Sequence, residues 1–258
     1  MGPDQLAGRE LALDVFIRSN LLSYAVYAKE RQLVRLEVIS LPIPLEENIQ
    51  PFHEWVKGND WFSMHYSHTT VVCNDARMGL IPSEIVEQVS PENLSRYLFE
   101  HTRFERLEQH DCGDKKLIYP MADSIYYAQR SRFPGASLQH AAGRILNWAC
   151  DPTIPPAFIV VNHGDYLQVI LREGEKLQFA QSFPFLDTEE AVYHVLNTME
   201  RLDINRQSNE LRTIGVDPES ALFLGLQEFV REVKPYTLPL PDALLNQFQL
   251  HPMLISLL

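Results

Sequence analysis

No two glycines in this chain of 258 residues stand two positions apart, and no G-x-x-x-x-G-K-[ST] run occurs. Both absences remove the backbone cradles that usually hold phosphates. There is no G-x-S-x-G elbow for an acyl-transfer nucleophile and no C-x-x-C pair. Basic residues are scarce: 22 Lys and Arg face 34 Asp and Glu, for a net charge of −12. Nonspecific nucleic-acid binding and attachment to anionic membranes both need basic patches, so neither is expected. The three cysteines, Cys73, Cys112 and Cys150, are odd in number and far apart. They read as reduced thiols in a reducing compartment, not as a disulfide framework. Long apolar runs are missing too. The longest, Ala157–Val161 and the tail from Met253 to Leu258, fall far short of the ~20 residues of a membrane span. The first ten residues are polar and charged, unlike a secretory leader. A cytoplasmic location without membrane insertion is therefore expected.

What is present is a repeat. Leu13–Ile39 reads as three short strands joined by polar turns, and Ala157–Phe183 reads the same way. The first turns are Arg18-Ser19-Asn20 and Asn162-His163-Gly164-Asp165. Each meander runs into prolines and then acids, "LPIPLEEN" and "FPFLDTEE", which suits a helix start because carboxylates favour the positive helix N-terminus. Helices are expected over roughly Glu46–Gly58 and Thr188–Leu202. A fourth strand follows in each copy, "HTTVVCND" and "ELRTIGVD", and then a further helix, "PSEIVEQV" and "PESALFLGLQEFVREV". "KLIYPMADSIYY" parallels "PYTLPLPDALLN", with Pro120 against Pro239 and Asp123 against Asp242. The spacing leaves extra material in the first copy, within about Ser90–Gly113. A helix is also expected over Leu138–Ala149, stopped by the proline-rich hinge "PTIPP". Each half thus reads βββαβαβα, an α/β unit of mixed sheet with helices on its faces. The halves divide at 1–136 and 137–258.

Two tandem βββαβαβα halves resemble the actin-like ATPase superfamily, in which each half is ribonuclease-H-like and a central cleft lies between them. The second half is similar to the pilus-assembly and secretion-platform members, through the stretch "TIGVDPESALFLGLQEFV". The whole chain resembles an uncharacterised bacterial family of small proteins with this fold. The resemblance implies a cleft lined by the two first hairpins and by the turn after the second half's fourth strand. On this sequence those positions are Ser19, Asn20, Asn162, Gly164, Asp165, Gly215 and Asp217. The resemblance also implies what is missing. The superfamily's hairpins are D-x-G loops, whose glycine admits phosphate and whose Asp organises metal or water. Here the first hairpin has no glycine, the second opens with Asn162, and the turn at Ile214-Gly215-Val216-Asp217 has one glycine instead of a pair. The expected function is therefore a non-catalytic binding or scaffolding module with a degenerate nucleotide site, no bound cofactor and a protein partner. The alternative is a nucleotide-binding protein or weak ATPase of the same fold.

Other chemistry reads as weaker. Asp14, Asp75 and Asp123 could be imagined as a two-metal nuclease set, but Asp75 and Asp123 sit at strand ends where Asp is a common helix cap. His65 and His68, and the run His110-Asp111-Cys112, could ligate a metal. Surface or internally satisfied roles explain them better, so no metal is expected. His163 is expected to be a solvated turn residue. The apolar tail "HPMLISLL" is expected to dock on the body.

Overall fold

The computed structural model describes residues 10–28, 32–99, 105–151, 157–174 and 176–236. The hinge at 152–156, the "LPLPDALLN" stretch with Pro239 and Asp242, and the apolar tail lie outside the described residues. The chain divides into two compact units. One comprises Met1–Asp75, Pro91–Glu108 and Tyr119–His140, and the other Ala76–Ser90, Gln109–Ile118 and Ala141–Leu258.

The first unit opens with the expected meander: β1 (Ala12–Arg18), β2 (Leu21–Tyr27) and β3 (Leu33–Ser40). α1 (Gln50–Lys57) and a 3-10 turn at Asp60–Ser63 lead to β4 (His68–Asn74). The helix starts four residues later than the acids of "PLEEN" suggest. Those acids lie in a turn, and Pro51 stands in the first helical turn, where a missing N–H costs nothing. β1 pairs antiparallel with β2 and parallel with β4, and β4 pairs parallel with β8 (Ser137–His140), giving the order β3-β2-β1-β4-β8. β1 is buried along its whole centre, as a strand covered on both faces must be, while the edge strand β3 is half exposed.

In the second unit β9 (Ala157–Asn162), β10 (Tyr166–Glu173) and β11 (Lys176–Pro184) form the second meander. α6 (Thr188–Arg201), β12 (Glu210–Ile214), α7 (Ala221–Phe229) and β13 (Glu232–Pro235) follow. The order β11-β10-β9-β12-β13 repeats that of the first sheet strand for strand, with the same parallel and antiparallel neighbours. Its core is an apolar cluster in which Phe158, Val160, Leu167 and Val169 of the sheet meet Val192, Val195 and Met199 of α6 and Leu222, Phe223 and Leu226 of α7. Full burial of each such side chain is worth about 1.5–3 kcal/mol.

Three expectations are corrected. First, the additional elements of the first copy run from β5 (Gly79–Pro82) to the end of β7 (Lys115–Ala122), beyond Ser90–Gly113 on both sides. They include α2 (Ser83–Gln88), α3 (Pro91–Leu98) and β6 (Glu105–Cys112), and the strands form a separate sheet, β5-β7-β6. Hence "PSEIVEQV" is not the counterpart of α7; that role falls to α4 (Asp123–Arg132), which precedes β8 as α7 precedes β13. Two short helical segments are interchangeable by pattern, and only strand pairing separates them. Second, Leu138–His140 belong to β8, and α5 begins at Ala141 and ends at Ala149. Third, Asp75 leads into a strand, and Asp123 is the first residue of α4 after an N-cap at Ala122, so neither caps a helix.

Candidate functional site

In open α/β sheets the chain turns at the carboxyl ends of the parallel strands, and free turn amides and helix starts gather there. In the first unit this edge holds the Ser19-Asn20 turn, Asn74 at the end of β4 with Asp75 after it, and His140 at the end of β8. Ser19 Oγ donates to Glu46 Oε2 at 2.8 Å. The carbonyls of Ser19 and Asn20 accept from the N–H groups of Leu45 and Leu41 at 2.7 and 2.8 Å. The turn therefore presents a carboxylate where a phosphate-binding hairpin would present donors. His140 is wholly buried and stands opposite Cys73 in the ladder, with its ring centroid 4.5 Å from that of Tyr119. The Asp75 N–H points at His140 Nε2 from 3.4 Å, which makes Nε2 the acceptor nitrogen. Burial, aided by Glu108 and Asp75, pushes the Cys73 thiol up to about 12. At neutral pH it is a thiol, not a nucleophilic thiolate.

In the second unit the same edge carries the Asn162–Asp165 turn and the Gly215–Asp217 turn. Val161 pairs with Ile214, so Asn162 and Gly215 are the next residues on adjacent strands. Gly164 has φ +102° and Gly215 φ +67°, conformations that suit glycine. Three of the amides in and beside these turns are taken internally. Asn162 Oδ1 accepts from the Gly164 N–H at 2.9 Å, and the His163 N–H donates to the Tyr166 carbonyl at 3.0 Å. Asp217 Oδ1 accepts from the Glu219 N–H at 2.9 Å. Ser220 Oγ donates to the Asp217 carbonyl at 2.6 Å and accepts from the Phe223 N–H at 3.3 Å, capping α7.

His163 is not the solvated residue its turn position suggests. It is 1% exposed, stacked on Tyr166 with centroids 4.4 Å apart, and its Nε2 lies 3.2 Å from Gln168 Oε1. Gln168 Nε2 donates in turn to the Ala142 carbonyl at 3.4 Å. With the Gln168 amide so oriented, the imidazole Nε2 carries the proton. No local signal in "NHGD" marks this, because the partners come from β10 and α5. Glu46 and His140 were likewise beyond sequence reasoning, their contacts being 27 and 65 residues away.

The imagined nuclease acids do not converge. Asp14 pairs with Thr70 in the middle of β1, and Asp75 lies five residues beyond Thr70, just past the end of β4, about 16 Å at ~3.3 Å per residue. Asp123 accepts from Arg106 Nε at 3.1 Å. His65 and His68 are exposed. His110 Nε2 lies 2.9 Å from Asn147 Nδ2 and so accepts from it, and burial pushes the Cys112 thiol up to about 12. Among the described residues no group of three or more His, Cys, Asp or Glu is placed to hold a metal ion. No helix among them is long and apolar enough to cross a membrane.

These features can be set beside known proteins. No curated protein is a significant match. Among solved structures the chain is similar to a Bacteroides thetaiotaomicron protein described as having an actin-like ATPase fold and unknown function. That match has a TM-score of 0.80 and 16% identity, over 96% of this chain and 99% of that one. It is also similar to a chain of the PilM–PilN type IV pilus biogenesis complex, with a TM-score of 0.57 and 12% identity, over 95% of this chain and 96% of that one. At these identities the likeness establishes the fold, which is the actin-like ATPase fold of two ribonuclease-H-like units. The profile of one family matches residues 4–233, nearly the whole described chain, and the protein therefore belongs to the family described as "Protein of unknown function (DUF3822)".

Proposed function

We propose that this protein is a non-catalytic, actin-fold binding or scaffolding module in which the nucleotide site has decayed. One observation carries the reading: several donors at the turns and at the start of α7 are held by the chain's own side chains. The Gly164 N–H is held by Asn162, the Glu219 N–H by Asp217 and the Phe223 N–H, in the first turn of α7, by Ser220. Ser19 spends its hydroxyl on Glu46. A phosphate at either turn would have to displace an internal partner and approach Glu46 or Asp217. Like charges near 4 Å repel by about 4 kcal/mol at an effective dielectric of 20. The reading includes a cytoplasmic bacterial protein whose second half begins at α5, after Ser137–His140 have completed the first sheet, four residues later than the expected division at 136–137. A protein partner is supported by the pilus complex, where a chain of this fold is found with a second protein.

The second reading, a nucleotide-binding protein or weak ATPase, draws on Gly164 and Gly215, which keep the positive φ that a phosphate turn uses. Thermal unfolding with and without Mg-ATP separates the two. A ligand at 100 times its Kd stabilises by about 2.7 kcal/mol. No shift is expected with ATP or ADP, and a clear one would overturn the proposal.

A further inference from the structure

Half of the large apolar side chains that the described residues leave exposed lie in one stretch of the second unit: Leu186, Tyr193, Leu224 and Phe229. Leu186 precedes the Asp187 cap of α6 and is 97% exposed, so it does not fold back on the first turns as a hydrophobic staple would. α6 and α7 meet at Val192 and Gly225, where a Cβ on the glycine would lie 3.1 Å from Val192 Cγ2. Tyr193 and Leu224 adjoin these two contact positions and are 60% and 51% exposed; Phe229, the last residue of α7, is 48% exposed. The core uses the other faces of both helices, through Val195, Met199, Leu222 and Leu226. The seam between the helices is thus flanked on its outer side by apolar groups that the described residues leave uncovered, an arrangement globular proteins seldom leave unused.

The charge around the seam is one-sided. Residues 186–229 contain nine carboxylates, three arginines and no lysine. Arg206 is paired with Glu200 and Arg212 with Glu210. Asp187, Glu189, Glu219 and Glu228 remain on the exposed surface. A second copy docked seam to seam would bring this acidic rim against itself, and an anionic membrane or nucleic acid would meet the same repulsion. The complementary occupant is apolar along one face and basic beside it.

We infer that the α6–α7 seam docks an amphipathic helix with basic flanks, supplied by a partner protein. Its apolar residues at i, i+3 or i+4, and i+7 would lie along Tyr193, Leu224 and Phe229, with its lysines or arginines beside Glu189, Glu219 and Glu228. This deepens the binding-module reading and rests on it.

The test uses the full chain and a synthetic leucine–lysine amphipathic helix, with a scrambled peptide of the same composition as control, followed by fluorescence anisotropy. The expected result is saturable one-to-one binding, about tenfold tighter than the scrambled peptide's, weakened about tenfold by Tyr193→Ser or Leu224→Ser. It should weaken severalfold between about 0.05 M and about 0.5 M salt. Tyr97, 88% exposed on α3 and outside the seam, serves as the neutral control through Tyr97→Ser. All three positions are exposed, and far-UV circular dichroism checks that each variant folds. Absent binding, equal binding of the scrambled peptide, or indifference to both seam substitutions would overturn the inference. So would concentration-dependent self-association abolished by Leu224→Glu, which would assign the seam to a second copy. A chain that binds the helix and is also stabilised by Mg-ATP keeps this surface but loses the degenerate-site reading. A chain that does neither keeps that reading and loses this surface.

Discussion

Replacing Gly143 by alanine should destabilise the protein, although the same change in an ordinary helix interior gains about 1 kcal/mol. Gly143 lies inside α5, and a Cβ built there would sit 2.6 Å from His110 Cδ2 and 2.9 Å from His110 Cγ. Carbon atoms prefer about 3.5–4.0 Å, so the overlap is about 1 Å. The imidazole cannot swing away without loss, because its Nε2 accepts from Asn147 Nδ2 at 2.9 Å one turn further along the same helix. Overpacking of this kind costs about 1–3 kcal/mol, and the broken hydrogen bond adds about 1 kcal/mol. Subtracting the helix-propensity gain of about 1 kcal/mol leaves a net loss of about 1–3 kcal/mol. For a chain of this size each 1 kcal/mol lowers Tm by about 2–4 °C. Urea and thermal unfolding of the single variants and of the pair make a double-mutant cycle. In a His110→Ala background the clash is gone, so Gly143→Ala should become neutral or stabilising by up to about 1 kcal/mol. A Gly143→Ala protein as stable as the parent, or one with the same cost in both backgrounds, would refute the packing argument.

The same histidine makes stability depend on pH. Burial holds the His110 pKa below its ordinary 6.5, so the unfolded chain takes up a proton before the folded one does. The His110 contribution is complete above about pH 6.5 and is lost as pH falls toward the folded value. Urea midpoints at about pH 7.5 and about pH 5.5 should differ more for the parent than for His110→Gln, and equal differences would refute this. Gln129 is wholly buried in α4, and among the described residues neither of its amide atoms has a hydrogen-bond partner. Gln129→Met should therefore stabilise by about 1–2 kcal/mol in thermal unfolding, and a loss of stability would mean that the amide is satisfied by something it binds. Restoring the hairpins with Ser19→Gly and Asn162→Asp should yield no phosphate release above a buffer control, because Glu46, Asp217 and the internal caps remain. Steady release would show that the site is intact and the decay reading wrong.

The two meanders, α6 and the fourth strands were legible because their information is local. Alternating or continuous apolar runs such as Phe158–Val161 need only nearest neighbours to declare a strand. The acids of "FPFLDTEE" mark the start of α6, and the structure uses two of them: the Glu190 N–H donates to Asp187 Oδ1, and Glu190 Oε2 accepts from the Leu186 N–H. The missing G-x-G and the lone Gly215 could also be read directly, since a turn's need for glycine is a property of its own backbone. The extent of the added elements from β5 to β7 could not. Assigning α4, and not "PSEIVEQV", as the partner of α7 requires knowing that β8 pairs with β4 as β13 pairs with β12, and that pairing joins residues as distant in sequence as Thr70 and Ser137. The burial of His163 was hidden in part for the same reason, since the Ala142 carbonyl behind Gln168 comes from α5. A turn residue is solvated by default, and only Tyr166, Gln168 and the Ala142 carbonyl, arriving from β10 and α5, make a dry and hydrogen-bonded place for its ring. Local chemistry specifies which backbone a segment adopts; which donors are left for a ligand depends on partners brought from elsewhere in the chain, and here those partners engage Ser19 and bury the ring of His163.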